Sequence, residues 1–268
     1  MARVLAEGSP RWNDLTLRVL SALVLLPVAV FCVWSGGFWF VTLVLLAVVG
    51  MAVEWAAMCR SRPFVLAAGL VAAVWLAAWG APLAGLAMLA AGLVIVPRLR
   101  MGDWPLAAGF PYLGLAGIAL VWLRDGPAGW PNTLFILVII WGSDIGAYMI
   151  GRLIGGPKLA PAISPGKTVS GAIGGLVTAS LAGLAVAACF SSDFSSSRVI
   201  ILTCGLGVVS QAGDLLESAL KRHFGVKDSG ALIPGHGGLL DRLDALLAVA
   251  PAAAGLALVV EQGGVLWR

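Results

Sequence analysis

Charge is what this sequence has least of. Only 11% of its 268 residues are Asp, Glu, Lys or Arg, and it has just two histidines and two tyrosines. With 60% hydrophobic residues and a mean hydropathy of +0.99, the chain cannot cover a soluble globule with polar side chains. An integral membrane protein is expected. Cysteine is scarce as well. Cys32, Cys59, Cys189 and Cys204 are scattered in or beside apolar runs without metal-ligand spacing, so no disulfide framework is implied and they read as small core residues. The net charge of +4 is small, and no nucleic-acid partner is expected. No Ser–His–Asp or Cys–His arrangement is evident. The N-terminus, MARVLAEGSPRWNDLTLR, is too polar for a cleaved leader, so the first apolar run is expected to remain as a helix.

What the chain has in abundance is apolar runs. They fall at roughly 17–35, 38–57, 64–79, 82–96, 106–123, 133–150, 170–190, 199–220 and 241–260. A spanning helix needs about 20 mostly apolar residues, so an all-α protein with about nine transmembrane helices is expected. The third and fourth runs are short enough to form a single hairpin around Gly80–Ala81–Pro82. Lys and Arg are distributed unevenly over the connections. Fourteen lie on the side of the N-terminus: Arg3, Arg11, Arg18, Arg60, Arg62, Arg98, Arg100, Arg152, Lys158, Lys167, Lys221, Arg222, Lys227 and Arg242. Three lie on the other side: Arg124, Arg198 and Arg268. The positive-inside rule puts the N-terminus in the cytoplasm and the C-terminus in the periplasm. A division follows between residues 1–130, a membrane scaffold, and 131–268, which carries the polar features.

Those features concentrate in one stretch. Gln211 to Asp244 holds five of the 13 acids, four of the 17 basic residues and both histidines. Polar groups clamped between membrane-grade segments are costly and mark a candidate functional site. Asp214, Glu217, Ser218 and Lys221 share one face of a helix. A glycine-rich break follows, and the chain re-enters an apolar run through Asp241 and Asp244, again on one face. Two acidic faces, Asp214/Glu217 and Asp241/Asp244, can thus meet across the break. Beside Lys221, Arg222, Lys227 and Arg242 they suit a hard divalent cation and phosphate oxygens. A solvated loop between helices is the plainer alternative.

Two other places carry polar groups. Asp144 stands inside an otherwise apolar run, with Arg152 on roughly the same face; an Asp144–Arg152 or Asp144–Ser bond is one reading and a wall of the binding site the other. The connection 155–171 contains Gly166–Lys167–Thr168, but Pro161 stands where a phosphate-binding P-loop needs glycine and no strand is expected before it. Ser164, Lys167, Thr168 and Ser170 can still donate to phosphate oxygens at the N-terminus of the next helix, although Ser170 can instead simply cap it. That helix opens with a Gly171–Gly175 small-residue pattern, which admits close contact within the chain or in a homodimer. Glu54, near the end of an apolar run, reads as interfacial or structural.

The runs Ser218–Ala–Leu–Lys221–Arg222, Lys227–Asp228–Ser–Gly230, Pro234–Gly–His236–Gly237–Gly238 and Asp241–Arg242–Leu–Asp244 together resemble the signature of the phosphatidate cytidylyltransferase (CDP-diacylglycerol synthase) family. Asp144–Ile–Gly–Ala–Tyr148 with Gly151–Arg152 is similar to another block of that family, and 164–171 to a third, with Gly166 and Ser170 departing from it. The resemblance implies a membrane enzyme of phospholipid biosynthesis that transfers CMP from CTP to phosphatidic acid, with Mg²⁺ and room for a second cation. It implies Asp214 and Asp241 as main metal ligands, with Glu217 and Asp244 in or beside that shell. Lys221, Arg222, Lys227 and Lys167 would neutralise phosphates, Asp228 would orient Lys227, and Arg242 would serve phosphate or pair with an acid. His236 would touch the leaving pyrophosphate or order its loop. Gly237 and Gly238 would admit phosphate to the backbone, and Asp144, Arg152, Ser164, Thr168 and Ser218 would line the substrate. A bacterial inner membrane follows on family grounds. The alternatives are an ion-coupled transporter and a nucleotidyltransferase acting on another lipid phosphate.

Overall fold

The structure, a computed structural model, describes residues 10–259 and 264–267. Arg3 and Arg268 of the charge asymmetry lie outside the described residues. Ten helices occur in the order α1 (Pro10–Ser35), α2 (Gly37–Met58), α3 (Phe64–Ala78), α4 (Pro82–Arg98), α5 (Trp104–Ala107), α6 (Gly109–Asp125), α7 (Gly129–Ile154), α8 (Val169–Phe190), α9 (Ser196–His223) and α10 (Leu240–Val259). Nine coincide with the nine apolar runs and α5 is one extra turn. Six segments are long and apolar enough to cross a membrane: α2, α5 joined with α6, α7, α8, α9 and α10. Leu23–Ser35, α3 and α4 are apolar but shorter. α3 and α4 form a helical hairpin, with Pro82 opening α4 where its missing N–H costs nothing.

One connection departs from the all-α expectation. Between α7 and α8 the chain forms an antiparallel hairpin of β1 (Lys158–Ala160) and β2 (Ser164–Thr168), pairing Lys158 with Thr168 and Ala160 with Ser164. A strand therefore does precede Gly166–Lys167–Thr168, but it is a hairpin partner.

The helices pack into two cores that share α10. One gathers α2, α3, α4 and α6 around Trp55, Leu66, Leu70 and Leu113; the other gathers α7, α8 and α9 around Phe135, Ile139, Ala179 and Leu206. Leu247 and Ala250 of α10 face the first core, and Ala245, Val249 and Ala253 the second. The periodicity of α10 thus buries both faces, as expected of a helix apolar all round. Around this bundle many large apolar side chains stay exposed, among them Leu23, Phe64, Trp79, Leu153 and Val259. A monomer in water rarely carries so much exposed apolar surface, whereas lipid would cover it.

The helix ends sort into two groups. At one end Arg124 donates through Nε to the Val33 carbonyl and through Nη2 to that of Trp34, both at 2.9 Å. At this end too, Asn132 holds the C-terminal segment, accepting from the Leu266 amide at 2.9 Å, and Trp267 stacks on Phe135. At the other end lie the hairpin 158–168 and the loop 224–239.

Small residues set the α7–α8 contact. A Cβ on Gly171 would lie 2.7 Å from the Ala147 carbonyl oxygen, one on Gly174 2.5 Å from Ile150 Cβ, and one on Gly175 2.8 Å from the Ser143 carbonyl oxygen. The Gly171–Gly175 pattern is therefore consumed within the chain and carries no argument for a homodimer. The cysteines are free, with Cys32 buried and Cys189 exposed, so Cys189 is not the core residue expected.

Gly146→Ala should lower stability by about 1–3 kcal/mol, because the new methyl would collide with Thr178. Gly205→Ala, on α9 with open space around it, should leave stability unchanged or raise it. Thermal unfolding of the two variants in detergent checks the contrast.

Candidate active site at one end of the bundle

The site begins with how α9 and α10 touch. Gly213 on α9 carries no side chain, and a Cβ there would lie 3.1 Å from the Asp244 carbonyl oxygen and 2.7 Å from Ala248 Cβ. The next residue along α9 is Asp214. Close backbone contact thus brings the two acid-bearing helix ends together, as the spacing of the acids predicts.

The acids do not pair as their order in sequence suggests. Asp214 forms an ion pair with Lys167 of β2, and the charges of Asp214, Asp144 and Lys167 all act on Asp244. Asp144, ten residues before the end of α7, likewise feels Asp214 and Lys167. Arg152 bonds instead to the Tyr148 hydroxyl at 3.0 Å, so the Asp144–Arg152 bond considered from sequence does not form.

Glu217 and Asp241 make the second group, and Lys221 sits between them. Its Nζ lies 2.6 Å from Glu217 Oε2 and 2.7 Å from Asp241 Oδ1. Glu217 is 1% exposed, so this is a buried ion pair, whose worth depends on how well each charge is matched. Among the described residues the Glu217 oxygens have no aligned hydrogen-bond donor, and the neighbouring Tyr112 hydroxyl has no hydrogen-bond partner. Asp241 is richly matched: the Ser229 amide donates to both its oxygens, at 3.2 and 3.1 Å, and the Gly238 amide to Oδ2 at 3.1 Å. With Lys221 these donors occupy the carboxylate's acceptor positions.

Glu54 closes the arrangement from the opposite core. Its carboxylate is 3% exposed and accepts from the amides of Leu239 at 2.9 Å and Leu240 at 2.8 Å and from the Ser229 hydroxyl at 3.3 Å. Those amides open α10, where a negative charge satisfies orphan donors and meets the positive end of the helix dipole. The structural reading of Glu54 is the one the geometry supports. The sequence signal was an acid in an apolar helix; its partner, 185 residues away, had none.

The glycine-rich loop folds tightly onto these carboxylates. Gly235 and Gly237 take left-handed φ of 76° and 84°, turning the chain so that Ile233 N bonds to Gly237 O. A Cβ on Gly230 would lie 2.6 Å from Glu54 Oε1, and one on Gly238 2.8 Å from Asp241 Oδ2. Both glycines are needed for the loop to pack on these acids. His236 orders the loop: its carbonyl accepts from Arg242 Nε at 3.0 Å and Nη2 at 2.6 Å, and its Nδ1 lies 2.9 Å from the Ser21 hydroxyl of α1.

The remaining expected residues fall at the same end with different duties. Thr168 caps α8, accepting from the Gly171 amide at 3.1 Å, while Ser170 bonds back to the Gly155 carbonyl. The cap is thus Thr168 and not Ser170. Lys221 is held by two carboxylates, not free for phosphate. Arg222, Lys227 and Asp228 are exposed, and among the described residues Asp228 makes no ion pair with Lys227. Ser164 and Ser218 are half-buried without a side-chain bond among the described residues. His223 is exposed beside the Phe224 ring.

Among the described residues, no three acidic, histidine or cysteine side chains are gathered closely enough to hold an ion as they stand. The donor chemistry of Asp144, Asp214 and Asp244 still suits Mg²⁺. Asp214 pairs with Lys167, and Asp144 and Asp244 are near enough to feel both of those charges, so the neighbourhood is rich in carboxylate. Glu217 and Asp241 fit an ion less well, because Lys221 already stands between them.

Residues 16–260 match the model of the cytidylyltransferase family. The chain belongs to the cytidylyltransferase family. It is 39% identical over 249 residues to phosphatidate cytidylyltransferase of Brucella suis, covering 89% of this chain and 91% of that one. A phosphatidate cytidylyltransferase of Staphylococcus saprophyticus is 42% identical over 147 residues, 54% of this chain and 56% of its own. One from Staphylococcus haemolyticus is 46% identical over 120 residues, 44% of this chain and 45% of its own. Along their helices Asp241 and Asp244 open α10, whereas Asp214 and Asp144 lie nine and ten residues before the ends of α9 and α7.

Glu54→Ala should cost about 1–3 kcal/mol, the penalty for leaving buried amides without an acceptor. Glu54→Gln should cost less, keeping one acceptor oxygen. Ser229→Ala, which removes a 3.3 Å bond, should cost least of the three. Chemical unfolding followed by tryptophan fluorescence ranks them; equal stability of Glu54→Ala and the parent would contradict this role.

Proposed function

We propose that this chain is a phosphatidate cytidylyltransferase. It transfers CMP from CTP to phosphatidic acid, with one phosphate oxygen of the lipid attacking the α-phosphorus and pyrophosphate leaving, to give CDP-diacylglycerol. The observation that carries the reading is the Asp214–Lys167 ion pair beside the close contact of α9 with α10 at Gly213 and Asp244. Family membership and the names of the relatives support the choice of substrates.

Nucleotidyl transfer asks mainly for positioning and charge neutralisation. The attacking phosphate has a second pKa near 6, so it is already nucleophilic at neutral pH and needs no strong base. Asp214 and Asp244, with Asp144 beside them, would hold Mg²⁺, which when bound neutralises phosphate charge. Lys167, Arg222 and Lys227 would take the remaining phosphate oxygens, and Arg152 the edge of the same site. Asp241, Glu217 and Lys221 would act by fixing the loop and α10. The catalytic surface would come from 131–268 and the scaffold from 1–130, with Glu54 crossing between them. The asymmetry of Lys and Arg supports a cytoplasmic site in a bacterial inner membrane, where CTP is supplied. Family membership favours nucleotidyl transfer over an ion-coupled transporter.

Purified protein given CTP, Mg²⁺ and phosphatidic acid should release pyrophosphate. Asp214→Asn and Asp244→Asn should each lower that release roughly a hundredfold or more while thermal unfolding stays cooperative. Turnover with another lipid phosphate but not with phosphatidic acid would redirect the assignment, and solute flux without nucleotide turnover would overturn it.

A further inference from the structure

A cavity of about 630 Å³ opens between α1, α2, α6, α7 and α10, and its wall is almost wholly apolar. The size is that of an organic ligand site. Its polar wall groups are few: His236 and Arg242 stand at one end, where the loop 224–239 closes over it, and Thr133 lies towards the other. On α7 the wall runs from Trp130 to Trp141, twelve residues and eleven helical steps, or about 16 Å at 1.5 Å per residue. The chamber is therefore long, dry and cationic at one mouth.

Its direction is informative. Leu134, Leu137 and Trp141 line it at i, i+3 and i+7 on α7, and the next position on that face, i+10, is Asp144. On α10 the lining residues Leu243, Leu246 and Leu247 share a helix with Asp244. The groove thus ends on α7 and α10 within one turn of Asp144 and beside Asp244 in sequence. On its open side stands α1, whose Leu25, Leu26, Val28 and Val30 are about half exposed.

We propose that this groove holds an acyl chain of the phosphatidate substrate while its phosphate reaches from Arg242 and His236 towards Asp144. The proposal rests on the function inferred above and adds where the lipid lies. Charge fixes the orientation, because among the described residues of the wall the one Arg or Lys, Arg242, is at the mouth, where an anionic headgroup would sit. A chain lying there would stay in an apolar medium from membrane to site.

Ala29 and Ala47 line the groove from α1 and α2. Ala47→Phe or Ala29→Phe should fill it. The ratio of kcat/KM for dioleoyl over dihexanoyl phosphatidate should then fall about tenfold or more relative to the parent. An unchanged ratio in an active variant would overturn the proposal. Photolabelling of the unaltered protein avoids dependence on the variants' folding. Phosphatidate carrying a diazirine at mid-chain should label peptides within 130–141 and 239–247, and excess dioleoyl phosphatidate should suppress the label. Label confined to outward faces, or label that phosphatidate does not displace, would overturn it. If the parent protein releases no pyrophosphate from CTP with either lipid, it is the function that falls, and not the groove alone.

Discussion

The N-terminus of α10 is held from two sides by carboxylates, and the arrangement of the site depends on that hold. Glu54 reaches across from α2 to accept the first amides of α10, while Asp241 bonds to Lys221 of α9 and to the Ser229 and Gly238 amides of the loop. Buried charges on this scale are costly unless each finds several partners. Here each carboxylate collects backbone donors that would otherwise be orphaned, so the penalty of burying acids and the penalty of burying a loop offset one another. With α10 fixed, Gly213 sets α9 against it, and Asp214 follows directly after that contact with the Asp244 backbone.

This division of labour among the acids explains why one signature contains so many of them. Four of the five acids in this 31-residue stretch look like one metal cradle in sequence. In three dimensions they separate by helix turn. Glu217 and Asp241 lie on the turn nearest the loop and share a lysine; Asp214 and Asp244 lie on the adjoining turn and meet Lys167 and Asp144 from other elements. The first group gives rigidity, and the second leaves negative charge available for chemistry. A lysine in each group keeps the acids from repelling one another apart.

Much of this was legible before any coordinates. The helices follow from apolar runs because membrane-length segments must satisfy their backbone internally, and eight of the nine starts lie within a few residues of the observed ones. The convergence of α9 and α10 follows from acids spaced three apart on each side of a glycine-rich break. What stayed hidden was pairing across long separations. Nothing near Glu54 announces Leu240, and nothing in Asp214–Glu217 says that the two acids will choose different partners. The hairpin 158–168 was hidden because its strands are only three and five residues long, and the cap falls on Thr168 where the sequence also allows Ser170. The Gly171–Gly175 pattern signalled close contact but not with whom; α7 is the answer.

The central claim is that Lys221 and Asp241 act as a unit, fixing α10 and not simply adding charge to the site. A double-mutant cycle on unfolding free energy, built from Lys221→Met, Asp241→Asn and the pair together, tests it directly. Coupling well above about 1 kcal/mol is predicted for partners within one buried network. Additive effects of the two changes would contradict the account.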